Sequence, residues 1–167
     1  MRSNSLRTLI YLLVLTIGIG FSSHAQTQQQ INVMRAKFQD LRGQANTAKI
    51  AAYTRVMQLS EADTKKFWPL YRDYDKAESA LMDKKLILIC EYYVAQQAGP
   101  LTDEKAADFS KRWLICMQDR LDLWSKYHKK ISKALSPVRG AQFLQIENQV
   151  TTVMDKMISN AMPIVGN

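Results

Sequence analysis

Apolar and small residues recur three and four positions apart over four long stretches of this chain, and that rhythm predicts helices. In the first stretch, 31–58, the positions are Ile31, Met34, Phe38, Leu41, Ala45, Ala48, Ala52 and Val56. In the second, 61–97, they include Phe67, Leu70, Tyr74, Ala77, Leu81 and Leu88. The third, 103–135, carries Leu114, Met117, Leu121, Trp124, His128, Ile131 and Leu135 without a missed step. The fourth, 137–160, carries Phe143, Ile146, Val150, Val153 and Met157. Such spacing lays each set along one side of a helix. A sustained seven-residue repeat favours long helices packed side by side at shallow angles. The best strand candidate, 86–90, lies inside a charged helical pattern with no turn on either side. The fold class is all-α.

Glycine and proline punctuate these stretches. Gly99-Pro100 is a turn signal between the second and third. Ser60 precedes Glu61 and Asp63, and Thr102 precedes Asp103 and Glu104, so both read as N-caps with acids in the favourable first turn. Ser136-Pro137 places a capping serine before a proline at the first helical position. Gly43 is expected to loosen the first helix, and Pro69 to kink the second or relax its first turns. At 1.5 Å per residue the second and third helices are about 55 and 50 Å long. The expectation is an elongated antiparallel helical hairpin, four helices in all, with the shorter helices covering part of one face. That arrangement leaves apolar stripe uncovered, so a homodimer is expected.

The N-terminus alters the picture. Arg2 and Arg7 form a positive start, residues 9–21 are an apolar run, and Ser23-His24-Ala25 supplies small residues where a signal peptidase reads. The run is shorter than the roughly 20 residues of a spanning helix. Residues 1–25 are therefore expected to be a cleaved signal peptide, leaving 26–167 as one exported, periplasmic domain without stable membrane insertion. The whole chain carries a net charge of +8, of which the leader's two arginines account for part. Export argues against nucleic acid as the partner of this charge. The candidate basic face is Lys84, Lys85, Lys129, Lys130 and Lys133, for which a merely solvated helix surface is the competing reading.

Candidate chemistry is sparse. His128 is the only histidine after the leader, and it falls on an apolar stripe. One histidine and two distant cysteines make no zinc-like ligand set, and no nucleophile elbow, phosphate loop or dinucleotide fingerprint is present. No catalytic residue, metal or cofactor is expected. Cys90 and Cys116 are the only cysteines. With the turn near residue 100, Cys90 faces Ser110 and lies about 9 Å along the axis from Cys116, whereas a bridge needs Cα atoms within roughly 7 Å. An internal disulfide is disfavoured, and a disulfide or two buried free thiols stay open. Phe67 and Trp68 are adjacent, so they are expected to serve different surfaces, one within the hairpin and one in a dimer.

Two segments carry a resemblance. Leu59-Ser60-Glu61-Ala62-Asp63, followed by Phe67-Trp68-Pro69-Leu70-Tyr71, resembles the "LTPEQ…FWPxY" segment of small exported helical proteins. These are the Spy/CpxP-like (LTxxQ group) periplasmic stress proteins and their uncharacterised exported relatives. Leu135-Ser136-Pro137-Val138-Arg139 resembles a second copy, and the stretch from Ala141 through Phe143 to Asn148 resembles the "ARFxQIEN" ending of those relatives. Asp63 and Arg139 replace the motif glutamine. The resemblance implies a cradle-shaped homodimer that binds unfolded or partner proteins without ATP on a concave face. A cell-envelope protein-binding module is thus expected, either an ATP-independent chaperone or an envelope-stress sensor partner. The alternative is a purely structural, self-assembling envelope subunit that binds no client.

Overall fold

The computed structural model describes residues 23–161, and these form four helices and no strand. They are α1 (Ser23–Met57), α2 (Glu61–Gln97), α3 (Asp103–Ala134) and α4 (Pro137–Ala161). The chain divides into two units, Met1–Gln30 and Ile31–Asn167. Of the first unit, the described part is the helical opening of α1; the packing below belongs to the second. The expected leader lies outside the described residues as far as residue 22. Among the described residues no helix is long and apolar enough to cross a membrane.

Local chemistry sets the helix ends. Ser60 has extended backbone, and its hydroxyl accepts from the Asp63 N–H at 3.1 Å. Thr102 does the same for Lys105 at 3.3 Å. At the start of α4 the Ser136 hydroxyl accepts from the Arg139 N–H at 3.3 Å, and Pro137 opens the helix. Each cap satisfies a donor that has no intrahelical partner. After α2 the chain reverses through Gly99, whose φ of 129° is costly for any residue with a Cβ. Neither Gly43 nor Pro69 breaks its helix: α1 and α2 run through both. Pro69 removes the backbone bond to Lys65 and crowds that carbonyl, and tertiary packing on that part of α2 outweighs the loss. α1 also begins earlier than its apolar stripe, because the Gln- and Ala-containing segment before Ile31 tolerates helix.

α3 runs back along α2: Tyr92 meets Phe109, Lys85 meets Trp113, and Tyr74 meets Tyr127. This is the antiparallel hairpin expected from the turn at Gly99. Its register keeps Cys90 and Cys116 apart, and both are free thiols. Cys90 is buried, its sulfur 3.8 Å from that of Met34, and burial pushes its thiol above the usual range despite the opposing Arg35 charge. Cys116 is only half-buried and lines a small cavity with Glu78, Leu81, Met82 and Lys85 of α2.

Two apolar clusters make the interior. One gathers Tyr53, Met57, Phe67, Tyr71, Tyr74, Leu123, Tyr127, Ile131, Phe143 and Ile146 from all four helices. Ring pairs dominate it, with Tyr74 and Phe143 edge to face at 4.9 Å and Tyr53 and Tyr71 at 5.0 Å. The other gathers Phe38, Met82, Leu86, Ile89, Cys90, Met154 and Ile158 from α1, α2 and α4.

Three expected stripes shift. On α1, Lys49, Tyr53 and Met57 are buried in place of Ala48, Ala52 and Val56, and Val56 is 41% exposed. On α3 the buried set is Leu123, Tyr127 and Ile131, while Leu114, Met117 and Leu121 face out. On α4, Glu147, Thr151, Met154 and Ile158 are buried, while Val153 and Met157 are exposed. On α1 the neighbouring helices offer carboxylate partners to Lys49, one step round from the more apolar Ala48. Phe67 and Trp68 do not serve different surfaces: Phe67 is fully buried and Trp68 packs edge to face against it at 5.1 Å, on the rim of the same cluster. Helices α1, α3 and α4 all pack on this part of α2, so the covered arc exceeds the 100° between successive residues.

Candidate functional site

Between the two apolar clusters lies a charged junction. Lys49 on α1 points its ammonium at two carboxylates, Glu78 on α2 at 2.5 Å and Glu147 on α4 at 2.7 Å. Glu147 is fully buried and Lys49 nearly so. The Tyr53 hydroxyl donates to one oxygen of Glu147 at 2.5 Å and the Tyr74 hydroxyl to the other at 2.7 Å. Trp124 on α3 donates its indole N–H to the Tyr74 oxygen at 3.0 Å. All four helices thus converge on one hydrogen-bonded network. Every buried side-chain nitrogen and oxygen among the described residues has a partner, as burial of such groups requires.

The electrostatics follow from one cation facing two acids. Burial disfavours the Lys49 ammonium, but the charges of Glu78 and Glu147 outweigh that and hold its pKa above the usual lysine value. Burial pushes the Glu78 carboxyl up, Lys49 opposes, and the Glu147 charge adds to the rise. Tyr53 and Tyr74 are driven well above the ordinary phenol range, by burial first and carboxylate neighbours second. Both therefore keep their protons and act as hydrogen-bond donors.

Further along α4, Asp155 accepts from Lys85 at 2.6 Å and Arg120 at 2.8 Å, joining α2, α3 and α4. Lys85 also lies over the Trp113 ring, 4.8 Å from its centroid. Glu147, buried Thr151 and Asp155 follow one another at four-residue steps, so a polar seam runs down α4 through the interior. A cavity of about 20 Å³, lined in part by Glu78, Lys85, Trp113 and Arg120, lies between the two ion clusters. On the α1 side a cleft of about 390 Å³ reaches down to Lys49 and Glu78, past Arg42, Gly43, Asn46, Asp75 and Ser79. Arg42 is paired with Asp83 at 2.8 Å, and Asn46 accepts from the Tyr71 hydroxyl at 3.2 Å. Among the described residues no group of three or more His, Cys, Asp or Glu is placed to hold a metal ion.

The motif residues fall into helix starts and core. Leu59 and Leu135 pack half-buried against the larger cluster, each preceding a capping serine, Ser60 and Ser136. Asp63 pairs with Lys66 at 3.9 Å and Arg139 donates to Gln142 at 2.9 Å, both near the surface. Phe67, Tyr71 and Phe143 are core; Trp68 lies on its rim and Pro69 is exposed.

The five basic candidates do not form one face. Lys84, Lys129, Lys130 and Lys133 are exposed, but Lys85 is buried and bound to Asp155, so it is removed from any solvent surface. Through the hairpin register Lys84 also lies more than three turns of α3 away from the other three, roughly 20 Å. His128 is half-buried against Ser132 at 3.5 Å and close to Gly140, where α3 and α4 approach tightly. Sequence reasoning missed the charged junction. Its signal was available: Lys49-Tyr53, Tyr74-Glu78 and Phe143-Glu147 each set a charge four residues from a large core ring, on its own helix face.

α3 leaves part of its apolar pattern outside. Leu114 is 64% exposed and Leu121 54%, with Met117 between them on the same side. Comparison with protein families, with characterised proteins and with solved structures finds no match to this chain.

Proposed function

We propose that this chain is an exported, non-enzymatic protein-binding module of the cell envelope, acting as an ATP-independent chaperone or as a partner of an envelope-stress sensor. The observation that carries the reading is the exposed stripe of Leu114, Met117 and Leu121 on α3. Apolar side chains at this spacing, left in water, suit exposed hydrophobic segments of other proteins. Lys129, Lys130 and Lys133, exposed on the same helix, add attraction for acidic stretches, giving binding that is weakened by salt. The resemblance of Leu59–Tyr71 to exported stress proteins supports the same reading. Purified protein is expected to suppress aggregation of an unfolded client without nucleotide. No suppression at several-fold excess over client rejects it.

The unbroken three-four spacing on α3 favours a second reading, in which a homodimer or larger self-assembly consumes the stripe. That reading predicts a tight oligomer by light scattering and little binding of a hydrophobic dye, whereas a client-binding surface stays accessible to dye.

A further inference from the structure

We propose that Glu78 and Glu147, gathered on the single ammonium of Lys49, form a proton-binding site that fastens α1 to α2 and α4 more tightly at mildly acid pH than at neutral pH. The geometry distinguishes the two acids. Glu147 is saturated: one oxygen takes the Tyr53 hydroxyl, the other takes the Tyr74 hydroxyl and the Lys49 ammonium. Glu78 is held by Lys49 through one oxygen, at 2.5 Å, so it has room for a proton. The 390 Å³ cleft along α1 brings solvent to this acid and supplies the path for that proton.

The groups around Glu78 come from every packed helix. They are Lys49 and Arg42 from α1; Tyr71, Tyr74, Asp75 and Lys85 from α2; Cys116 and Arg120 from α3; and Glu147 from α4. With both acids ionised, Lys49 faces two buried negative charges. A proton on Glu78 leaves one ammonium, one carboxylate and a neutral acid that still has a donor. Burial, reinforced by the Glu147 and Asp75 charges, pushes Glu78 up against the pull of Lys49. A raised carboxyl binds its proton more tightly in the folded state than in the unfolded one. Its contribution is complete below the ordinary value near 4.5 and is lost as pH rises through the folded value. Lys49 keeps its charge throughout this window, since its own pKa is raised. The direction is diagnostic, because a chain of net charge +8 gains more positive charge on acidification and would ordinarily loosen.

Amide hydrogen exchange on the purified protein at pH 5 and pH 7.5, corrected for intrinsic rates, tests the site. Residues 42–57 are expected to gain several-fold protection at pH 5 relative to α3. Glu78→Gln is expected to abolish that dependence and to match or exceed the parent protection at pH 7.5. Equal or lower protection of 42–57 at pH 5, or an unchanged pH profile in Glu78→Gln, overturns the proposal. If Glu78→Gln does not fold, the carbon-13 shift of the Glu78 carboxyl in the parent protein decides. A midpoint above pH 5 supports the site, and one at or below pH 5 overturns it.

Discussion

The Lys49 ammonium lies 2.7 Å from the carboxylate of Glu147, a side chain with no exposure to solvent. A charge in such a place is tolerable only while its partners stay. Lys49→Met is therefore expected to cost about 3–5 kcal/mol, because it strands two buried acids. Tyr53→Phe, which removes one donor from Glu147, is expected to cost about 1–3 kcal/mol. Urea unfolding measures both. A loss below 1 kcal/mol for Lys49→Met would mean that the junction does not hold in solution.

Asp155 gives the opposite pH behaviour to Glu78. Burial would raise its carboxyl, but Lys85 and Arg120 outweigh burial and hold it below the usual range. Its stabilisation is present above the ordinary carboxyl value near 4 and is lost as pH falls through the lowered folded value. About a third of the side chain is in water, so screening keeps the effect small. Asp155→Asn is expected to cost about 1 kcal/mol at pH 7, with the difference from the parent shrinking below pH ~4. Thermal melts across pH 3–7 read this out.

The serine before α2 makes a separable contribution. Ser60→Ala leaves the Asp63 N–H without its acceptor and is expected to destabilise by about 1 kcal/mol, whereas Ser60→Gly costs a few tenths. The denaturation midpoint should move with an unchanged slope, since no apolar surface is involved.

Two leucines and an isoleucine on one α3 pattern should behave differently. Ile131 is fully buried, and Ile131→Ala is expected to cost about 2–5 kcal/mol. Leu114→Ser and Leu121→Ser are expected to change monomer stability by less than about 0.5 kcal/mol. Both should instead lower binding of a hydrophobic dye and of unfolded clients. Unchanged dye binding in the double variant would remove the exposed stripe as the binding surface.

Helix existence and helix ends are legible in the residues because their causes are local. Ser60, Thr102, Ser136 and Gly99 act within three or four residues of themselves, and the hairpin register follows from where Gly99 falls. The buried face is less legible. On α1, Ala48-Ala52-Val56 and Lys49-Tyr53-Met57 lie one residue apart, and hydropathy favours the first. The fold selects the second because Glu78 and Glu147 wait across the interface, 29 and 98 positions away along the chain. No local window contains that information. The same holds for Lys85, which sits in a Lys84-Lys85 pair that reads as a solvated surface until Asp155 is brought beside it.

A Cβ built on Gly140 would fall 1.9 Å from the Ser132 hydroxyl oxygen and 3.1 Å from the His128 ring. Positions 132 and 140 therefore draw on one shared allowance of space between two helices. Growth at either is compatible with this crossing only when the other shrinks or turns aside. Their histories of substitution should be coupled, with a methyl group gained on one helix matched by an oxygen lost from the other.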